Sequence, residues 1–324
     1  MNNLVAVTIG DINGIGIDIF INLYEKDNIK NVVLFCDIKI IRRYLLKKSK
    51  IIKINLFNKE KNIFVYKKNY LNIYSYKSKS NTDNTIKALL NSHKECFKKK
   101  FIGIVTLPIR KDLIIKHINN FIGHTEFFQK LENKEYSNML LIHKKIIVTP
   151  LTTHISLKDI RKKLLSDNFI YRQIINLNNT LKFDLNIKKP KIAISGLNPH
   201  AGENGKIGDE EKIISKIIKK LKNKKINING PFAADSMLLN LMRYDCYVFM
   251  YHDQALIPFK YISKFSGVNF TGNLDLIRVS PDHGTAYELK GSDNYSNTSL
   301  KQCFILLNKI YKNRKKNYGA KKIT

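Results

Sequence analysis

Asp245–Lys260 reads DCYVFMYHDQALIPFK, and this stretch decides the fold. Cys246–Tyr251 is a continuous apolar run of the kind found in a strand buried on both faces. The run then gives way to His252, Asp253 and Gln254, side chains that can bind a metal, take a proton or donate a hydrogen bond. Open α/β sheets build their sites in this way, from polar groups released at the carboxyl ends of buried strands. The same arrangement occurs twice more. Ile146–Val148 feeds Thr149-Pro150-Leu151-Thr152-Thr153-His154, and Lys191–Ser195 feeds Gly196-Leu197-Asn198-Pro199-His200-Ala201-Gly202-Glu203. An α/β fold is the expectation.

The rest of the chain agrees with that reading. Leu4–Ile9 is a short strand-like run, followed by a turn with Gly10, Gly14 and Gly16 and then a helical pattern over Ile17–Tyr24. Strand, glycine turn and helix can present backbone N–H groups to an anion. The spacing is not GxGxxG, however, and a tight strand–helix connection is the better explanation of the glycines taken alone. Asn31–Cys36 and Phe101–Leu107 read as further strands, and Asn84–Lys100 as an amphipathic helix on which His93 is a packing residue. Asp209, Glu210 and Glu211 open a helix with Ile214, Ile218 and Leu221 on one face and lysines in its last turn, a charge order that suits the helix dipole. Ser299–Tyr311 predicts a final helix, and the basic segment from Lys312 reads as a frayed, solvated tail.

With 324 residues, two domains or one large α/β unit are expected. No apolar run approaches the ~20 residues that span a bilayer, and the N-terminus lacks a basic leader and a cleavage site. A cytoplasmic location is the expectation. Cys36, Cys96, Cys246 and Cys303 are too scattered for a disulfide framework or a cysteine zinc site, which fits a reducing compartment. The net charge of +31 raises the alternative of a nucleic-acid-binding protein. Yet the excess is almost all lysine, dispersed among Ile and Asn in a chain without Trp, the composition that A/T-rich codons produce. A solvated surface accounts for it, and its field also draws in phosphorylated substrates.

His154, His200 and His252 each follow a predicted buried strand. In a parallel sheet such positions converge along one edge, and three neutral imidazoles suit Zn²⁺ or a similar divalent ion. Taken alone, each histidine is more often structural than a ligand; the repeated placement at strand ends is what favours a metal. Asp235, Asp253 and Glu203 are candidates to orient the imidazoles, with turn formation or helix capping as the competing role. Lys260 and Arg278 interrupt apolar context, which calls for an anionic substrate or a structural carboxylate.

Taken together, these motifs resemble the 4-hydroxythreonine-4-phosphate dehydrogenase family of vitamin B6 biosynthesis, from Thr8 to about Gly291. The likeness rests on Gly10-Asp11 with Gly14-Ile15-Gly16, Gly123-His124-Thr125-Glu126, Thr152-Thr153-His154 and Gly196–Glu203. It continues through Ala234-Asp235, Tyr251-His252-Asp253-Gln254, Gly267-Val268-Asn269 and Asp282–Ala286. The resemblance implies a two-domain α/β/α fold similar to isocitrate and isopropylmalate dehydrogenases. Residues 1–125 with 265–324 would form the first domain and 126–264 the second, in a homodimer with active sites at the subunit interface.

It further implies His154, His200 and His252 as ligands of Zn, Mg or Co, shared between partner chains. His124, Thr125, Lys260, Asn269 and Arg278 would be substrate contacts, and His283, Gly284, Thr285 and Ala286 the adenosine-binding loop for NAD or NADP. Asp253, Lys260 and Asp235 are the candidates for proton transfer. The implied reaction oxidises a small phosphorylated hydroxy acid; threonate or erythronate 4-phosphate are the alternative substrates. Neither nucleic acid nor a membrane is an implied partner. Departures from the family pattern fall at Ile12-Asn13, Ile17-Asp18, Ser156, Ala255 and Asp275, and none of them removes a metal or substrate group.

Overall fold

The structure, a computed structural model, describes residues 3–27, 29–57, 65–166, 168–292 and 294–318. Its strands are β1 (Val5–Thr8), β2 (Val32–Phe35), β3 (Ile54–Leu56), β4 (Leu71–Tyr74), β5 (Gly103–Thr106), β6 (Asn138–His143), β7 (Ile146–Pro150), β8 (Lys191–Ser195), β9 (Asn227–Phe232), β10 (Cys246–Phe249), β11 (Val268–Gly272) and β12 (Arg278–Pro281). Its α-helices are α1 (Gly16–Asp27), α2 (Ile38–Lys47), α3 (Asn81–Phe97), α4 (Lys111–Ile115), α5 (His124–Leu131), α6 (Leu157–Leu165), α7 (Phe169–Phe183), α8 (Glu210–Asn223), α9 (His252–Ser263) and α10 (Thr298–Tyr318). None of the described helices is long and apolar enough to cross a membrane.

The chain forms two compact units. The first comprises the described residues up to Phe121 together with Asp275–Tyr311; the second comprises Ile122–Leu274 and the end of α10 from Lys312. The sequence reading places the changeovers after 125 and 264 instead, and assigns the whole C-terminal segment to the first domain.

In the first unit, the strands run β3-β4-β2-β1-β5-β12, all parallel. Central strands β1, β2 and β5 are buried along their whole length, which is why they read as unbroken apolar runs rather than alternating ones. Asp37 starts α2: its Oδ1 accepts from Lys39 N–H at 2.9 Å, and its Oδ2 accepts from Ser78 N–H at 2.8 Å and Ser78 Oγ–H at 2.9 Å. Burial alone would raise this carboxyl's pKa; the bonds from Lys39 and Ser78 outweigh burial and lower it. The glycine turn proves to be a connection, since Ile15 N–H donates to the Thr285 carbonyl at 2.9 Å. Asp18, one of the departures from the family pattern, is buried and accepts from Tyr44 Oη–H at 2.6 Å.

In the second unit, the order is β11-β6-β7-β10-β8-β9. β11, β6 and β7 pair antiparallel, and β7, β10, β8 and β9 pair parallel. Strand β10 lies between β7 and β8, its four residues wholly buried. Two sequence expectations change here. The strand stops at Phe249, with Tyr251 as the N-cap of α9, so His252 opens a helix instead of sitting in a loop. Ala255, Leu256 and Phe259 bring the apolar face of that helix onto the core with Val148, Tyr247 and Phe249. Ala255, where the family has Gly, is a buried helical position that favours Ala.

The basic tail also differs from its sequence reading. Residues 319–324 lie outside the described residues, while 312–318 are the last turns of α10, and Arg314 among them is buried. Its Nε and Nη2 donate to Asp184 Oδ1 and Oδ2 at 2.8 and 3.0 Å, and Nη2 also reaches the Leu274 carbonyl at 3.0 Å. A planar guanidinium can satisfy a buried carboxylate in this bidentate way, so the segment orders where a run of lysines would fray. All four cysteines are free and buried, and burial raises the pKa of Cys36, Cys246 and Cys303. Replacing Asp184 with Ala strands a buried cation and should destabilise the fold by about 3–5 kcal/mol. Chemical denaturation measures this; a loss under ~1 kcal/mol would show that the pair is not the anchor of α10.

Candidate functional site

The parallel ladders of the second unit set the positions of the site. Tyr247 pairs with Val148 and Ala193, so β7, β8 and β10 end side by side and the residues after them share one edge. His154 follows β7 and His252 opens α9 after β10; their rings lie 5.8 Å apart between centroids. Both imidazoles are tied through Nδ1 to a carboxylate. His154 Nδ1 is 3.1 Å from Glu126 Oε1, and His252 Nδ1 is 2.6 Å from Asp253 Oδ1. That leaves Nε2 of each ring as the outward donor, the arrangement of a carboxylate–histidine–metal site.

Glu126 is the feature of this site to which the sequence reading gave no role. It belongs to the first turn of α5 and accepts from Thr153 Oγ–H at 2.8 Å as well as meeting His154. Burial raises its pKa, but the hydrogen bond and charge of His154 and the bond from Thr153 outweigh it and hold the group at about 2. The available signal was a Glu two residues after the quoted His124, at the third position of a predicted helix. Asp235 and Glu203, the other carboxylates considered, are exposed and hydrogen-bond neither imidazole among the described residues.

His200 is presented differently. Asn198-Pro199 leads into a turn in which His200, Ala201, Gly202, Glu203 and Asn204 all have left-handed backbone angles (φ 50, 51, 77, 40 and 56°). Only Gly202 adopts this conformation without cost, and a Cβ there would lie 2.5 Å from Glu211 Oε2. Glu211, the second residue of α8, secures the turn: its Oε1 accepts from Leu197 N–H and Asn198 N–H, each at 2.9 Å. Glu210 Oε2 accepts from Asn198 Nδ2 at 2.8 Å. The exposed His200 is not gathered with His154 and His252; among the described residues no three His, Cys, Asp or Glu side chains form a group able to hold a metal.

The other candidates in this unit lie on α5, β11 and α9. His124 and Thr125 begin α5, and Thr125 Oγ1 is 3.4 Å from Thr271 Oγ1 on β11. Asn269, two residues earlier on β11, shares that face, and its buried Oδ1 has no hydrogen-bond partner in the described structure. Such an orphaned buried acceptor is a place for a ligand donor. Lys260 is half-buried on α9 with Nζ 5.2 Å from the Phe265 ring centroid. In the first unit, Arg278 opens β12 with only 2% of its surface exposed, and its Nε and Nη2 donate to Thr106 Oγ1 at 3.0 and 2.7 Å. In the His283–Ala286 loop, nothing lies within 4 Å of the Cβ that a side chain at Gly284 would add, while the Thr285 carbonyl accepts from Ile15 N–H at 2.9 Å.

The comparisons with known proteins fit this geometry. The profile of the family described as "Pyridoxal phosphate biosynthetic protein PdxA" matches residues 28–307. The chain belongs to this family. It is 36% identical over 325 residues to a 4-hydroxythreonine-4-phosphate dehydrogenase of Sulfurihydrogenibium sp. (strain YO3AOP1), covering 95% of this chain and 99% of the relative. It is 38% identical over 190 residues to a D-threonate 4-phosphate dehydrogenase of Pectobacterium atrosepticum, 58% of each chain. Among solved structures, a 4-hydroxythreonine-4-phosphate dehydrogenase from Klebsiella pneumoniae superposes with a TM-score of 0.81 at 27% identity, covering 96% of this chain and 98% of that one. An isocitrate dehydrogenase from Methylococcus capsulatus shares the fold at a TM-score of 0.50 and 10% identity, over 98% of this chain and 88% of that one. The α/β fold is therefore that of the isocitrate-type dehydrogenases.

The turn that carries His200 yields a prediction about this PdxA-family chain. Glu211→Ala should release the N–H groups of Leu197 and Asn198, costing about 1.5–3 kcal/mol for each charge-assisted bond lost and accelerating amide exchange across 196–206. Unchanged exchange there would mean that another contact holds the turn.

Proposed function

We propose that the chain is a divalent-metal- and NAD(P)-dependent dehydrogenase. It would oxidise 4-phosphohydroxy-L-threonine to 2-amino-3-oxo-4-phosphooxybutanoate, which decarboxylates to 3-amino-2-oxopropyl phosphate on the way to pyridoxal 5'-phosphate. The observation that carries this reading is the His154–His252 pair, each ring held through Nδ1 by a carboxylate. Two imidazoles whose Nδ1 atoms face carboxylates would offer Nε2 to a Zn, Mg or Co site lacking one ligand. His200, set on its own turn, would complete it, with the three histidines drawn from the two chains of a homodimer.

Lewis-acid stabilisation of the charge developing on the substrate oxygen is what a divalent ion supplies in such a place. The chain's own residues do the rest. His124 and Thr125, at the start of α5, would hold the phosphate. Asn269, with its orphaned Oδ1, would accept from a substrate donor. Lys260 or Asp253 would take the hydroxyl proton, and Asp235 is the third candidate for proton transfer. Arg278, fixed in its plane by Thr106, would provide charge for an anionic end of the substrate. His283, Gly284, Thr285 and Ala286 would hold the adenosine of the dinucleotide so that its nicotinamide receives hydride from the hydroxyl carbon. The similarity to a D-threonate 4-phosphate dehydrogenase supports a second reading, in which threonate or erythronate 4-phosphate is the substrate.

A second copy of the chain is supported by α9 itself. Ile257 and Tyr261, one turn apart on its outer face, are 69% and 85% exposed, and Phe265 just beyond the helix is 55% exposed. Apolar side chains lined up in this way fit an interface.

The test is NADH or NADPH formation from 4-phosphohydroxy-L-threonine by purified protein, with and without chelator and with Zn²⁺ or Mg²⁺ restored. Chelation should abolish turnover and metal should restore it, while His252→Ala should lose turnover yet remain folded. Turnover confined to threonate or erythronate phosphate would favour the second reading, and metal-independent turnover would remove the histidines from the proposal. Separately, Tyr261→Asp should shift sedimentation from dimer towards monomer and lower turnover together; a monomeric, fully active variant would refute a shared site.

A further inference from the structure

We infer that Glu126 is the positioning residue for His154: it fixes which imidazole nitrogen is presented to the metal and links that ligand to the tip of helix α5. The inference deepens the proposed metal-dependent reaction and rests on that reading of His154.

Glu126 Oε1 receives two donors from the chain after β7, Thr153 Oγ–H at 2.8 Å and the His154 ring at Nδ1, 3.1 Å away. A carboxylate only accepts, so the imidazole must carry its hydrogen on Nδ1 and turn Nε2 outward. The carboxylate itself is kept in place. Its backbone belongs to the first turn of α5, where negative charge suits the helix dipole, and Glu126 Oε2 is buried. Gly123 shows how tightly the group is held. A Cβ there would stand 3.0 Å from Glu126 Oε2 and 3.3 Å from His154 Cε1, so carboxylate, ring and glycine backbone occupy one closely packed spot.

The consequence concerns the substrate as well as the metal. His124 and Thr125 immediately precede Glu126 in the same helical turn. The groups proposed to hold phosphate and the group that aims the metal ligand are thus parts of one rigid element. The spacing between the groups that would hold phosphate and the carboxylate that aims His154 is therefore set by the geometry of a helical turn and not by a flexible loop. Asp253, the corresponding carboxylate on His252, is the adjacent residue and is largely exposed, so it cannot impose the same constraint.

The experiment uses the full-length protein, metal-free, labelled with ¹⁵N-histidine, and reads the tautomer of His154 from long-range ring ¹H–¹⁵N correlations at pH 8. The signal is assigned by its loss in His154→Asn. Wild type should show Nδ1–H. Glu126→Gln keeps an acceptor oxygen and should preserve that tautomer, whereas Glu126→Ala should move the proton towards Nε2. Zn²⁺ affinity by competition with a chromophoric chelator should fall roughly tenfold to a hundredfold in the Ala variant and less in the Gln variant.

An Nε2–H tautomer in wild type, or an Ala variant with unchanged tautomer and Zn²⁺ affinity, would overturn the inference. If Glu126→Ala does not fold, the wild-type and Gln spectra still decide it. A protein with the Nδ1–H tautomer and no turnover of any four-carbon phosphate would refute the proposed reaction and leave Glu126's action on His154 standing.

Discussion

The site depends on the register of three parallel strands. β10 is buried along its length, and hydrogen bonding to β7 on one side and β8 on the other leaves its end no freedom to shift. A slip of one residue would turn every core side chain of β10 to the opposite face, which the packed cluster around Tyr247 and Phe249 forbids. Because the strands are parallel, their carboxyl ends fall in line, and residues about fifty positions apart in sequence are brought to one edge. Hydrophobic burial in the second unit thus does the work of placing His154 beside His252.

The strands on which this depends were legible in the sequence because full burial writes a plain pattern. Strands β1, β2, β5, β8 and β10 have apolar centres, and their observed bounds lie close to the runs legible in the sequence. Helix α9 was not found. Its apolar positions Ala255, Leu256 and Phe259 follow an apolar strand directly, and Pro258 inside it argues against a helix by local propensity. Packing on the core overrides that signal, since the side chains buried by α9 outweigh one missing backbone hydrogen bond. The end of α10 was misread for the opposite reason. Among lysines a single Arg314 looks like one more surface charge, and only the fold reveals Asp184 opposite it.

That His154 and His252 come to one edge was legible in the sequence; the carboxylate partner of His154 was not. Sequence placed His154, His200 and His252 after strands, yet the carboxylate that orients His154 lies on another element, well before it in the chain. No spacing rule connects Glu126 to His154, because the contact is made by the packing of α5 against the segment after β7. Of the three carboxylates offered from sequence, Asp253 does meet the imidazole beside it, while Asp235 and Glu203 are exposed and bond to neither ring. Neighbourhood along the chain is a weak guide where a parallel sheet has already brought distant segments together.

The turn that carries His200 shows what such a site costs the fold. Four of its five left-handed residues are not glycine. Each is less stable in that region by about 1–2 kcal/mol, somewhat less for Asn. On the other side stand the charge-assisted bonds of Glu211 with Leu197 N–H, Asn198 N–H and the Asn198 side chain, each of a kind worth about 1.5–3 kcal/mol. The two totals are comparable, so the turn persists because buried carboxylates at the start of α8 hold its stem, and for no local reason. The arrangement leaves His200 exposed and away from the other two histidines. A protein gains nothing in stability from maintaining a strained turn merely to hold an imidazole in water. The strain makes physical sense if the imidazole is meant for a ligand set that one chain does not complete.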